Sequence, residues 1–189
     1  MLRLIAAVAF LLSLLPVAAG AAEVAGVALD ERASARDGSV LRLHGAGVRE
    51  RFFFDIYVGA LYLPERGQGA ERIRATDQPG RVEMHFVYES VSREQLAEAW
   101  RTGFAANHPR AVRAAIAERV ETFIALFPDA KAGDTLAMEY VPGDGTAVTI
   151  NGETAGTIAG GVFFRALLGV WLGPEPADGD LKRGMLGDA

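Results

Sequence analysis

Apolar and polar positions change period several times along the 189 residues of this chain, and the changes set the expected order of elements. Residues Ala22 to Gly38 mix small and charged types and read as a lead-in segment with one short strand at Val24 to Ala28. Val40 to His44 alternates and predicts a strand. Phe52 to Leu63 predicts the strongest strand, rich in aromatic and branched residues. Its even positions Phe52, Phe54, Ile56, Val58 and Ala60 are uniformly apolar, so that face is expected to meet the core, with Phe53, Asp55 and Tyr57 on the other. Pro64 to Gly69 is a polar turn, Ala70 to Ala75 a short element, and Arg81 to Glu89 another half-buried strand.

The period then becomes helical. Ser92 with Gln95 three residues on forms a capping box, and Leu96, Ala99, Trp100, Gly103 and Phe104 follow at helical spacing. Asn107-His108-Pro109 stops that helix. A second carries the stripe Val112, Ile116, Val120, Phe123, Ile124 and Phe127, and ends at Pro128-Asp129. Leu136 to Tyr140 is a strand, followed by a turn at Pro142 to Gly145. Ala147 to Ile150 and Glu153 to Ile158 form a hairpin across Asn151-Gly152. Phe163 to Trp171 is a helix ended by Gly173-Pro174, and a last short helix runs from Asp178 to Leu186. Strands, a helical pair, strands and a helix argue for an α+β domain with an antiparallel sheet and helices layered on one face.

The first 22 residues are expected to stand apart from that domain. Arg3 gives a basic start, Leu4 to Leu15 is an apolar run of signal-peptide size, and Pro16 breaks it. Ala19-Gly20-Ala21-Ala22 offers small residues for cleavage after Ala21 or Ala22. The run is short for a membrane span, and no stable span is expected after cleavage. The mature domain is then residues 23–189, and loss of Arg3 moves the formal charge from −5 to −6. A mildly acidic domain with two lysines, Lys131 and Lys182, and no basic stripe does not point to nucleic acid. With no cysteine, disulfides, thiolate metal sites and cysteine nucleophiles are excluded. The leader and the arginine-rich, bacterial-looking composition point to the periplasm.

Candidate chemistry centres on Gly45-Ala46-Gly47-Val48-Arg49. The glycines read as a turn that delivers one always-charged fork to the edge of an apolar strand, where it matches an anionic oxygen group. The same arginine has ordinary uses: pairing with Glu50 or Asp55, or capping a surface loop. His44, His85 and His108 share no metal-ligand spacing, and no nucleophile elbow, phosphate loop, calcium loop or other cofactor motif is present.

The Gly-x-Gly-x-Arg stretch, the strand end Gly59-Ala60-Leu61-Tyr62-Leu63, and the tail Phe163 to Gly173 with Pro176 and Leu181-Lys182 together resemble the bacterial branch of the chalcone isomerase-like family, over about Val24 to Gly187. The resemblance implies an open-faced sandwich with a ligand cleft between sheet and helices. In the plant enzyme that cleft closes a chalcone to a flavanone; in related plant proteins it holds a fatty acid whose carboxylate meets the arginine. Carried over by motif, the arginine is Arg49, and the enzyme's strand threonine falls near Tyr57. The enzyme's helical tyrosine, lysine and asparagine fall on Leu96, Ala99 and Gly103, an apolar set. One oxyanion donor is worth about 3 kcal/mol of barrier, so losing several removes ring closure by many powers of ten. Each buried methylene contributes roughly 0.8 kcal/mol, so binding an acyl chain needs less. The expectation is an exported, non-catalytic binder of a small amphipathic carboxylate such as a fatty acid, held by Arg49, Tyr57, Leu96, Ala99 and Gly103. The alternatives are an isomerase (intramolecular lyase) acting on a chalcone-like enone, and an envelope protein that works through its surface.

Overall fold

The computed structural model of the chain describes residues 21–188. The leader therefore lies outside the described residues, except that its expected last two, Ala21 and Ala22, already belong to a strand. A hairpin of β1 (Ala21–Val24) and β2 (Val27–Asp30) replaces the single strand expected there, because Ala25 and Gly26 both take positive φ and turn the chain. The main sheet has seven strands, all antiparallel: β11 (Glu153–Ile158), β10 (Gly145–Ile150), β9 (Thr135–Val141), β6 (Gly80–Phe86), β5 (Phe54–Leu63), β4 (Val40–Arg51) and β3 (Arg32–Ser34), in that order. A two-residue ladder pairs β7 (Ser90–Val91) with β8 (Ala130–Lys131).

Five helices complete the described residues: α1 (Ala70–Ala75), α2 (Arg93–Asn107), α3 (Arg110–Ile124), α4 (Gly161–Leu172) and α5 (Gly179–Leu186). None is long and apolar enough to cross a membrane. The capping box forms as read: Ser92 accepts from the Gln95 N–H, and the Gln95 side chain accepts from the Ser92 N–H. Asn151 and Gly152 both take positive φ, the pair that a two-residue hairpin turn requires.

Both faces of β5 are covered, which corrects the expected face assignment. The odd residues Tyr57, Leu61 and Leu63 join Met84, Phe86, Met138 and the helices in the main core. The even residues Val58 and Ala60, with Tyr62, pack with Leu29, Leu41 and Leu43 in a smaller core under the N-terminal hairpin. Nor does the even face extend to the strand's start. Phe54 is the first residue of β5, and Phe52 and Phe53 form the turn between β4 and β5. Phe52 sits there at φ 59, a left-handed conformation that costs an L-residue about 1–2 kcal/mol.

The glycine-rich stretch is not a turn either. Gly45 to Arg49 lies inside the twelve-residue strand β4. A register shift at His44 changes which residues face the helices. Before it, Leu41 and Leu43 face the hairpin core; after it, Ala46 and Val48 do, so Gly45 and Gly47 turn to α5. A Cβ on Gly45 would stand 2.6 Å from the Gly187 nitrogen, and one on Gly47 would stand 3.1 Å from the Leu181 Cα. The glycines are the floor on which a helix backbone lies. His44 bolts the joint: its Nδ1–H donates to the Met185 carbonyl at 3.1 Å, and its Nε2 accepts the Gln68 N–H at 3.0 Å. Those partners fix the neutral Nδ1–H tautomer, since a carbonyl only accepts and an amide N–H only donates.

Gly45→Ala is expected to destabilise the protein by about 3 kcal/mol or more in urea unfolding, because backbone on both sides must move. Gly69→Ala, where a Cβ meets nothing within 4 Å, is expected to change stability by less than about 1 kcal/mol.

Candidate functional site

Arg49 follows Gly45 and Gly47 on the side of β4 that α5 covers, opposite Tyr57 of β5 in register. Its side chain is about a quarter exposed (26%). Only Nη1 is engaged, donating to the Glu50 carbonyl and to Asp178 Oδ2 at 3.5 Å. Asp178 is the N-cap of α5; its Oδ1 accepts the N–H groups of Asp180 and Leu181 at 2.8 and 3.0 Å. One carboxylate thus starts the helix with one oxygen and faces the arginine with the other. Neither Glu50 nor Asp55 forms an ion pair with Arg49 among the described residues. The actual partner lies 129 residues along the chain.

Tyr57 is buried, and its hydroxyl accepts the indole N–H of Trp171 at 3.0 Å. That bond ties β5 to the end of α4. The phenolic proton itself has no acceptor among the described residues. Burial pushes the Tyr57 phenol up to about 12, against the opposing pull of the Trp171 N–H and the Arg49 charge, with Asp178 adding a smaller upward push. Tyr57 is therefore a neutral donor at physiological pH, not a base. Phe86 lies beside its ring, centroids 5.6 Å apart. Gly59, two residues on, leaves a gap filled by Leu181 Cδ1 and Met185 Sδ, the ends of flexible side chains.

The helical residues are split. Leu96 is buried in the main core with Trp100 and Phe104. Ala99 is exposed, so Leu96, Ala99 and Gly103 do not form one inward face as expected. Gly103 is half-buried and sits where a Cβ would approach Val170 Cγ1 to 2.9 Å, a close helix–helix contact with α4. The true inward face of α2 is Leu96, Trp100, Phe104 and Asn107. Trp100 meets Phe123, Phe127 and Trp171 at ring centroid distances of 5.1 to 5.5 Å, and its indole N–H is buried without a partner among the described residues. Asn107 is polar but occupied: its amide donates to the Gly103 and Glu175 carbonyls and accepts the Glu175 N–H. It braces the loop between α4 and α5.

A cavity of about 300 Å³ opens on the opposite face of the sheet, between the N-terminal hairpin and the residues Tyr62, Arg81, Glu83 and His85. There Arg81 bridges Glu83 and Glu139, and His85 Nε2 stands 3.0 Å from Glu83. None of its lining residues belongs to the Arg49 cluster. No group of His, Asp or Glu able to hold a metal ion occurs among the described residues.

The sequence singles out Arg49 and Tyr57, which the fold sets opposite each other, but not their partners Asp178 and Trp171. Asp178 was legible as a helix cap; the tie to Arg49 needed the tertiary fold.

Because folded Tyr57 holds its proton to about pH 12 while an unfolded tyrosine loses it near 10, its contribution to stability is full below about pH 10 and is lost as pH rises towards 12. Urea unfolding between pH 9 and 12 is expected to show a steeper loss for wild type than for Tyr57→Phe. At neutral pH that variant is expected to lose about 1–3 kcal/mol, since it orphans the Trp171 N–H.

Comparison with known proteins agrees with the geometry at the level of the fold. The crystal structure of an Arabidopsis thaliana fatty-acid binding protein superposes with a TM-score of 0.67 at 17% sequence identity, covering 89% of this chain and 97% of that one. No curated protein matches the chain. The chalcone isomerase-like family profile matches residues 21–187, nearly the whole described chain. The chain belongs to the chalcone isomerase-like family.

Proposed function

We propose that this protein is an exported, non-catalytic binder of a small amphipathic carboxylate, of which a fatty acid is the chief example. The observation that carries the reading is the pair Arg49 and Tyr57. A half-buried guanidinium has Nε and Nη2 without protein partners among the described residues, and across the ladder from it stands a phenolic proton with no acceptor. Together they offer donors to one carboxylate, and charge-assisted bonds of this kind are the strong ones. Asp178 holds the place such a carboxylate would take, at the long distance of 3.5 Å. An incoming anion replaces Asp178 Oδ2 and leaves Oδ1 on the helix cap. The acyl chain then lies along Phe86 and the strip over Gly59, where Leu181 and Met185 give way by side-chain rotation. The fatty-acid binding protein that shares the fold supports this reading by analogy only.

The inward face of α2 supports the non-catalytic half of the proposal. Leu96, Trp100 and Phe104 supply no acid, base or cation, and Asn107 is spent on the loop. Export is proposed from the leader, with the mature chain starting at Ala22 or Glu23, at the edge of β1.

Fatty-acid titration by displacement of a fluorescent acyl probe is expected to show binding. Arg49→Ala should weaken it roughly 10- to 100-fold, the range of a lost charged hydrogen bond. Asp178→Asn keeps the helix cap, removes the competing charge and should tighten it. Absence of uptake by wild type, or equal affinity in Arg49→Ala, rules the reading out. Intact mass of the protein from the cell envelope checks the mature start.

A further inference from the structure

The hairpin between β4 and β5 ends in three consecutive phenylalanines that the fold does not bury. Phe52 is 82% exposed, Phe53 98% and Phe54 56%, and they are three of the five exposed large hydrophobic residues among those described. Isolated exposed apolar residues are ordinary, but a contiguous group at one tip is not. The position makes the choice sharper. Arg51 and Phe54 pair across the ladder, so Phe52 and Phe53 are the two residues of the turn itself. Such turns take Asn, Asp or Gly, because positive φ is needed. Here Phe52 occupies φ 59. Internal contacts do not account for the group: Phe54 leans edge-on against Tyr88 at 5.5 Å, and the Arg51 guanidinium lies 5.7 Å over the Phe52 ring.

We propose that this tip docks the protein onto a zwitterionic phospholipid surface by inserting Phe52 and Phe53 among the lipids. The shape favours a bilayer over a protein partner. A convex turn of bulky rings needs a matching pocket on a protein, whereas the membrane interface admits aromatic rings without one. The charges are ordered along the hairpin to match the headgroup. Arg51 stands on the rung next to the tip, at the depth of the lipid phosphate, and forms no ion pair among the described residues. Glu50 and Asp55 face each other on the next rung, about 3.3 Å further out, where the ammonium of phosphatidylethanolamine lies. The site rests on the tip alone and does not require the carboxylate reading. If both hold, Arg49 sits two residues from the surface that supplies its ligand.

The test is co-sedimentation of the full chain with phosphatidylethanolamine–phosphatidylcholine vesicles free of fatty acid, with wild type and variants prepared in the same leader state. Wild type is expected to partition onto the vesicles. The F52S/F53S double variant should lose roughly ten-fold or more of that partition. Arg51→Glu should lose a smaller share, and urea midpoints should show all variants folded. Phe53→Trp should be quenched by brominated acyl chains, beyond the background of Trp100 and Trp171. Equal partition of wild type and F52S/F53S, or no quenching of the introduced indole, overturns the proposal. So does self-association through the tip without vesicle binding. Fatty-acid displacement in vesicle-free solution reads the Arg49 site separately, so each idea can fail without the other.

Discussion

The contact on which the rest of this architecture depends is backbone against backbone. The last helix lies on the glycine floor of β4 at a distance that leaves no room for a Cβ on Gly45 or Gly184 and a tight fit for one on Gly47. Such a joint has few degrees of freedom, since main chain cannot yield as a side chain does. It fixes the start of α5 over Arg49, so that one aspartate both caps the helix and faces the guanidinium. It also fixes Leu181 and Met185 over the gap beside Tyr57. The geometry of the cluster thus follows from missing side chains rather than from strong pairwise attraction. A single ion pair at 3.5 Å contributes little on its own.

The two faces of the sheet are built on different principles. On the helix side a continuous set of rings, from Phe86 through Trp171 and Trp100 to Phe123 and Phe127, supplies the apolar burial that a chain without disulfides relies on. The reverse side is divided. A small apolar core lies under the hairpin, and beside it Arg36 from the loop before β4, Glu139 of β9 and Arg81, Glu83 and His85 of β6 form a chain of polar contacts. Alternation along β6 accounts for this directly: Val82, Met84 and Phe86 point to the rings, and Arg81, Glu83 and His85 point away.

Much of the fold was legible in the sequence because its signals are local. The capping box at Ser92, the Asn151-Gly152 turn and the stripe of α3 depend on near neighbours, and the fold carries all three. What failed depended on distant ones. Gly-x-Gly reads as a turn unless the helix lying on it is known, and that helix comes 130 residues later. The three phenylalanines read as strand because propensity ranks them so, while the register of β4 against β5 makes two of them the turn. The shift at His44 reverses sheet-face parity within β4, and no pattern in the residues announces it. For the candidate site, the motif singles out Arg49 and the strand alignment Tyr57, and the ladder of β4 and β5 sets the two opposite each other. Ala99 and Trp100 both lie one turn on from Leu96 but about 100° apart around α2; Trp100 takes the core position and Ala99 falls on the exposed flank.

The register irregularity between Val148 and Thr149 has a bearing on how copies of this molecule treat one another. It falls in the pairing of β10 with β11, and β11 is the outermost strand, with one hydrogen-bonding edge free of sheet partners among the described residues. A flat, regular border of that kind is a template for strand addition and fibrillation. The irregularity breaks the spacing on which such growth relies, and at the other border β3 is only three residues long. The sheet therefore blunts its β11 margin, a form of colloidal protection written into strand geometry instead of surface charge.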